Sequence, residues 1–199
     1  EVLGVFFATL LGFTLLNPVH LLFINLITDC FPALALGMER AEPDIMARKP
    51  RNAKAGIFAG GMGFDVVYQG LLVSVLVLAS YFLGHFIETG TWAITNSADG
   101  TTMAFLTISM AEIFHSFNMR SQRNSIFKLG GHNMVLILAA IGSLIATTVV
   151  CEIPLLAAAF GFTSVSFFEY ALAILIGALV IPVVELVKLA QRRIGKKSI

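Results

Sequence analysis

Asn25-Leu26-Ile27-Thr28-Asp29-Cys30-Phe31-Pro32 lies in an otherwise apolar run over 18–38. A run of that length crosses a bilayer as a helix. The amide, hydroxyl and carboxylate of Asn25, Thr28 and Asp29 stand at i, i+3 and i+4, on one helical face. Polar groups at membrane depth are costly and read first as functional. Pro32 has no N–H for the carbonyl of Thr28, four residues earlier, so the helix is expected to be broken near Asp29–Pro32 with backbone carbonyls set free. Broken helices present such carbonyls to ions, and hard cations such as calcium take about six to eight oxygens. Asn25, Thr28 and Asp29 are therefore candidate cation ligands. A packing role, in which Asn25 and Thr28 only bond neighbouring helices, leaves the carboxylate of Asp29 unexplained.

The rest of the chain has the same character. Hydrophobic residues make up 57% of it and charged residues 13%, where soluble domains carry about 25% charge. Six apolar segments, over 2–16, 18–38, 62–84, 101–118, 133–151 and 166–189, predict an all-α polytopic membrane bundle of about six transmembrane helices. The first is truncated and the second broken. Cys30 and Cys151 lie in apolar surroundings and read as small buried hydrophobes, with no metal spacing.

The 13 Lys and Arg residues occupy three places. Arg40, Arg48, Lys49, Arg51 and Lys54 separate spans two and three. Arg120, Arg123 and Lys128 separate spans four and five. Lys188, Arg192, Arg193, Lys196 and Lys197 close the chain. An even number of spans puts all three segments on one side, and the positive-inside rule makes that side the cytosol, with both termini. The first apolar run spans only about 22 Å as helix against a hydrocarbon core of about 30 Å. Glu1 is accordingly expected within the membrane, and the chain is expected to be part of a longer protein.

Other polar residues extend the candidate list. Glu1 is a second intramembrane carboxylate, on the helix preceding Asp29. Glu112 lies in span four, one turn after Ser109, with His115, Ser116 and Asn118 following. Ser109 and Glu112 are candidates for ion or proton handling. Asp65 reads as a helix cap or an ion-pair partner of Lys54 or Arg51. Glu185 and Lys188 read as a local pair, Pro182 as a kink, and the glycines at 56, 60, 61 and 63 as a tight entry into span three. No phosphate loop, dinucleotide fingerprint or zinc-helix motif occurs, so the chain by itself is not expected to be an enzyme.

The stretch Asn25-Leu26-Ile27-Thr28-Asp29-Cys30-Phe31-Pro32-Ala33-Leu34-Ala35-Leu36-Gly37, followed by Glu42-Pro43-Asp44-Ile45-Met46-Ala47-Arg48-Lys49-Pro50, closely resembles the P-type calcium-transporting ATPases. It is similar to their sixth transmembrane helix and the cytosolic loop after it. Glu1-Val2 and Phe6 to Gly12 resemble the second half of the fifth helix. Phe114-His115-Ser116-Phe117-Asn118-Met119-Arg120-Ser121 resembles the end of the eighth in bacterial members. The resemblance covers the whole chain, 1–199, as part of helix five through helix ten of the parent pump.

It implies that Asn25, Thr28 and Asp29 match the sixth-helix ligands and that Glu1 matches the fifth-helix ligand. It places Ser109 where two-site pumps carry a glutamate, so one ion per cycle is expected, with Glu112 as a possible replacement one turn on. It further implies calcium as the transported substrate, with manganese or sodium as alternatives. ATP and magnesium would bind upstream domains of the same polypeptide. The lipid bilayer, of a bacterial plasma membrane, would be the surroundings, and nucleic acid is not expected as a partner. A reading of another class is a non-catalytic membrane assembly module that keeps the polar cluster for packing.

Overall fold

The computed structural model describes residues 1–42, 45–47, 50, 54, 56–129 and 131–196. Arg48, Lys49, Arg51 and Lys197, named above among the basic residues, lie outside the described residues, as do Pro43, Asp44 and Ser198. Among the described residues the regular structure is entirely helical.

Helix α1 covers Val2–Leu11. The apolar run predicted a helix to 16, but Gly12 adopts φ 85° and stops it. The Gly12 and Phe13 N–H groups turn back onto Thr9 and Ala8, a left-handed glycine closure. Next comes one helical column, Pro18–Gly37, made of α2 (Pro18–Phe23), a π-helical segment (Ile24–Asp29) and α3 (Cys30–Gly37). The expected break near Asp29–Pro32 is thus a widened turn. The chain stays helical through Pro32, and the distortion falls on the residues before it.

Helix α4 (Met62–Thr89) enters from Gly61, whose φ of 92° supplies the tight approach that the glycine run predicted. Helix α5 (Ala98–Asn118), α6 (Met134–Glu152), the short α7 (Pro154–Phe160), α8 (Phe167–Ala178) and α9 (Val180–Lys196) follow. Helix α7 was not anticipated. Pro154 begins it, and Gly161 ends it with φ 73°. The last span divides at Leu179, three residues before Pro182, which cannot donate to the Ala178 carbonyl.

Four helical stretches among the described residues are long and apolar enough to cross a membrane: Pro18–Gly37, Met62–Thr89, Met134–Glu152 and Phe167–Arg193. Helix α5 is not one of them, although its 21 residues reach about 31 Å. It is the central helix, packed by α4, α6, α8 and α9. Neighbouring protein covers it, so it tolerates Thr101, Thr102, Thr107, Ser109 and Ser116, all buried. Small residues let its neighbours approach closely. At Gly177 of α8, a Cβ would stand 2.8 Å from the Met110 Cβ and 2.9 Å from the Ala111 nitrogen. Between α4 and α5 the Thr107 hydroxyl donates to Ser80 at 2.6 Å, and Ser80 donates on to the Met103 carbonyl.

The bundle has two distinct ends. At one, Arg120 forms a bidentate pair with Glu39 at 3.1 and 2.7 Å, and Asn133 donates to the same carboxylate. Ser121 and Asn124 donate to Glu42. Asp65 accepts from Gln122 and Gln191 rather than capping its own helix. The predicted Lys188–Glu185 pair is present at 3.9 Å, with Lys188 also donating to the Asn118 carbonyl. Arg40, Arg120, Arg123, Lys188 and Arg192 gather at this end. At the other end, Thr14 meets Asn96, Thr102 meets Thr163, and His20 meets Phe160. His20 is fully buried. Its Nδ1 accepts from the Asn17 N–H, so its Nε2 donates to the Phe160 carbonyl at 2.7 Å.

Candidate cation site

The π-helical segment sets the geometry. A π turn sets donor and acceptor five positions apart rather than four, and here the Cys30 N–H donates to the Asn25 carbonyl. The extra residue brings Asn25, Thr28 and Asp29 to the side where α1 and α5 approach. One carboxylate oxygen each from Glu1, Asp29 and Glu112 lie within 4.8 Å of one another. They come from the start of α1, the π segment and the middle of α5.

Hydrogen bonds tie this cluster to its neighbours. Thr28 is buried, and its hydroxyl lies 2.7 Å from Glu112 Oε2 and 2.9 Å from the Ile24 carbonyl, which compete for one proton. The Asn25 amide donates to Glu1 Oε2 at 3.3 Å and to the Leu21 carbonyl at 2.8 Å. That use of the NH2 group leaves Oδ1 as the atom suited to a cation. The other oxygen of Glu1 is buried with no hydrogen-bond partner.

Each pair of unit negative charges 4.8 Å apart repels by roughly 3 kcal/mol at an effective dielectric near 20. Three such pairs on one point call for compensating positive charge. Carboxylates, an amide oxygen and a hydroxyl are the donor set of a hard cation.

The candidates from the sequence thus come together in part. Glu1, Asn25, Thr28 and Asp29 form one cluster, and Glu112 joins it directly, as the third carboxylate. Ser109 is fully buried with its hydroxyl unpartnered, and the described contacts do not link it to the three carboxylates. Sequence reasoning did not single out Ser143 of α6, whose hydroxyl donates to the Ile27 carbonyl at 2.9 Å. Its only signal is a hydroxyl in an apolar span.

Comparison with known proteins gives a consistent picture. A family model described as cation transporting ATPase, C-terminus, matches residues 13–190. The calcium-transporting ATPase 1 of Bacillus cereus is 34% identical over 204 residues, covering 96% of this chain and 23% of that protein. The calcium-transporting ATPase of Bacillus subtilis is 36% identical over 155 residues, 77% of this chain and 17% of that protein. A sodium/potassium exporting P-type ATPase of Saccharomyces cerevisiae is 29% identical over 126 residues, 57% of this chain and 12% of that protein. The chain spans less than a quarter of the length of these relatives.

Proposed function

This chain belongs to the family of cation-transporting ATPase C-terminal regions, and we propose that it is the ion-binding membrane portion of an ATP-driven calcium pump. The observation that carries this reading is the convergence of Glu1, Asp29 and Glu112 on one point between membrane helices. Calcium is favoured because relatives that match most of the chain are named calcium-transporting. The all-oxygen donor set suits the same ion. The yeast relative, named for sodium and potassium export, supports a second reading in which the cargo is a monovalent cation.

In the proposed pump, residues 1–199 are the C-terminal transmembrane domain. Upstream domains of the same polypeptide bind ATP and magnesium and carry the phosphorylation chemistry. Asn25 and Asp29 are exposed on the open side of the cluster, where upstream helices would complete a cage of about six to eight oxygens. Binding the cation there and releasing it on the opposite side is alternating access. The basic end of the bundle faces the cytosol, in a bacterial plasma membrane.

Asp29→Asn tests the reading. The substitution keeps the shape of the side chain and removes a charge from the cluster. In the full-length pump it is expected to abolish calcium-dependent phosphorylation from ATP. Near-normal calcium affinity in the variant would overturn the assignment, and competition with manganese and sodium separates calcium from the second reading.

A further inference from the structure

The widened turn that gathers the ligands disturbs its own backbone pairing. The Cys30 N–H reaches back five residues to the Asn25 carbonyl. From Cys30 on the column is α-wound, and residue 32 there is proline, with no N–H to return to the turn before it. Water is not at hand inside a bilayer to take the missing place, and an unmade bond to a buried carbonyl is destabilising. The Ile27 carbonyl instead accepts from the Ser143 hydroxyl at 2.9 Å. Ser143 is fully buried on α6, a helix that carries none of the candidate ligands. The same helix grips the column again ten residues earlier, where Asn133 donates to the Ala35 carbonyl at 3.0 Å.

We propose that Ser143 is a positioning residue for the cation site. Its hydroxyl gives the turn before Pro32 a donor that proline does not supply, and so holds the column in its wide register. Thr28 and Asp29 follow directly on Ile27. Relaxing the π turn to ordinary α winding would rotate one half of the column against the other by about 100°, one residue at 3.6 per turn. Asn25 and Asp29 would then no longer face Glu1 and Glu112 together. The pairing of a proline with a hydroxyl on a neighbouring helix keeps the ligand set assembled without adding a ligand. This inference rests on the cation-pump reading above.

The test is a double-mutant cycle in the full-length pump, reading calcium-dependent phosphoenzyme and thermal stability. Ser143→Ala is expected to raise half-saturating calcium about three- to tenfold, the worth of one hydrogen bond, with the maximal phosphoenzyme level retained. Ser143→Thr, which keeps the hydroxyl, restores affinity to within about twofold of wild type. Thr147→Ala removes another buried hydroxyl of α6, one that donates to the Ser143 carbonyl, and leaves calcium affinity within about twofold. In a Pro32→Ala background, where residue 32 regains an N–H, the loss of the Ser143 hydroxyl has a smaller effect on thermal stability.

Unchanged affinity in Ser143→Ala, or the same shift in Ser143→Thr, overturns the proposal. Additive stability effects of the Pro32 and Ser143 substitutions do so as well. Should Ser143→Ala fail to accumulate, Ser143→Cys, of similar size but a weaker donor, carries the same comparison. A wild-type pump with no cation dependence would sink the functional reading instead. The stability coupling between positions 32 and 143 would still decide the role of the hydroxyl.

Discussion

Glu112 accepts the Thr28 hydroxyl and meets two other carboxylates, so a change to glutamine alters charge and little else. Three acidic oxygens on one point fit a single cation, and calcium bound per phosphoenzyme is expected to be near one. Glu112→Gln should raise half-saturating calcium by about ten- to hundredfold, from the loss of one nearby charge in a low-dielectric site. A wild-type ratio near two that falls to one in the variant would instead show two ions, with Glu112 serving the second. Outside the membrane, the charge to test is Glu39. The hydrogen bonds from Arg120 hold its carboxyl below the ordinary value of 4.5. A lowered carboxylate stabilises the fold above its unfolded value, and that stabilisation is lost as pH falls through its folded value. Arg120→Leu should therefore lower Tm at neutral pH by about 2–4 °C, and the gap to wild type should close as the pH is brought below about 4. A gap that persists in acid would mean that Arg120 acts through packing or the Gly131 carbonyl.

Among the helices, α8 depends on the absence of a side chain at Gly177, because a Cβ there would overlap Met110 and Ala111. Gly177→Ala is expected to destabilise the bundle by about 1–3 kcal/mol, read as a lower Tm in detergent. Gly142, where a Cβ meets nothing within 4 Å, is the control for the same change, and equal losses at both would point to helix propensity rather than packing. The sequence marked both Pro32 and Pro182 as places of distortion, yet neither distortion sits at its proline. The column widens at Ile24–Asp29 and the last span divides at Leu179. In each case the missing N–H leaves an acceptor on the preceding turn, so the adjustment appears upstream. Helix α1 ends at Leu11 because a positive φ at Gly12 outweighs the apolar residues that continue to 16.

For the whole molecule, the contacts of Glu39 and Asp65 with the segment after α5, and of Arg192 with the Arg123 carbonyl, place these elements at one end of the bundle. Trp92 belongs to the segment that bonds Thr14 at the other end, through Asn96. A cysteine at position 123 is expected to be shielded from an impermeant reagent in intact cells, and one at position 92 to be labelled. The reverse pattern would invert the orientation. The central place of α5 was not visible in composition. Hydropathy ranks it below its neighbours because it is covered by protein, and its polar side chains bond other helices.

The sequence alone determined that the chain lies in a membrane, because a charged fraction of only 13%, with all 13 Lys and Arg gathered into three segments, leaves long stretches that only lipid or protein can cover. It also marked Asn25, Thr28 and Asp29 as neighbours on one helical turn, at i, i+3 and i+4, whereas the side they present depends on the π winding of Ile24–Asp29. Tertiary structure decided that Glu112 belongs with them, since α5 and the π segment are 84 residues apart at the Thr28–Glu112 bond and no local rule links them. It also decided that the column stays wound through Pro32. The turn before the proline finds a donor on α6, at the Ile27 carbonyl, and that partner exists only once the helices have packed.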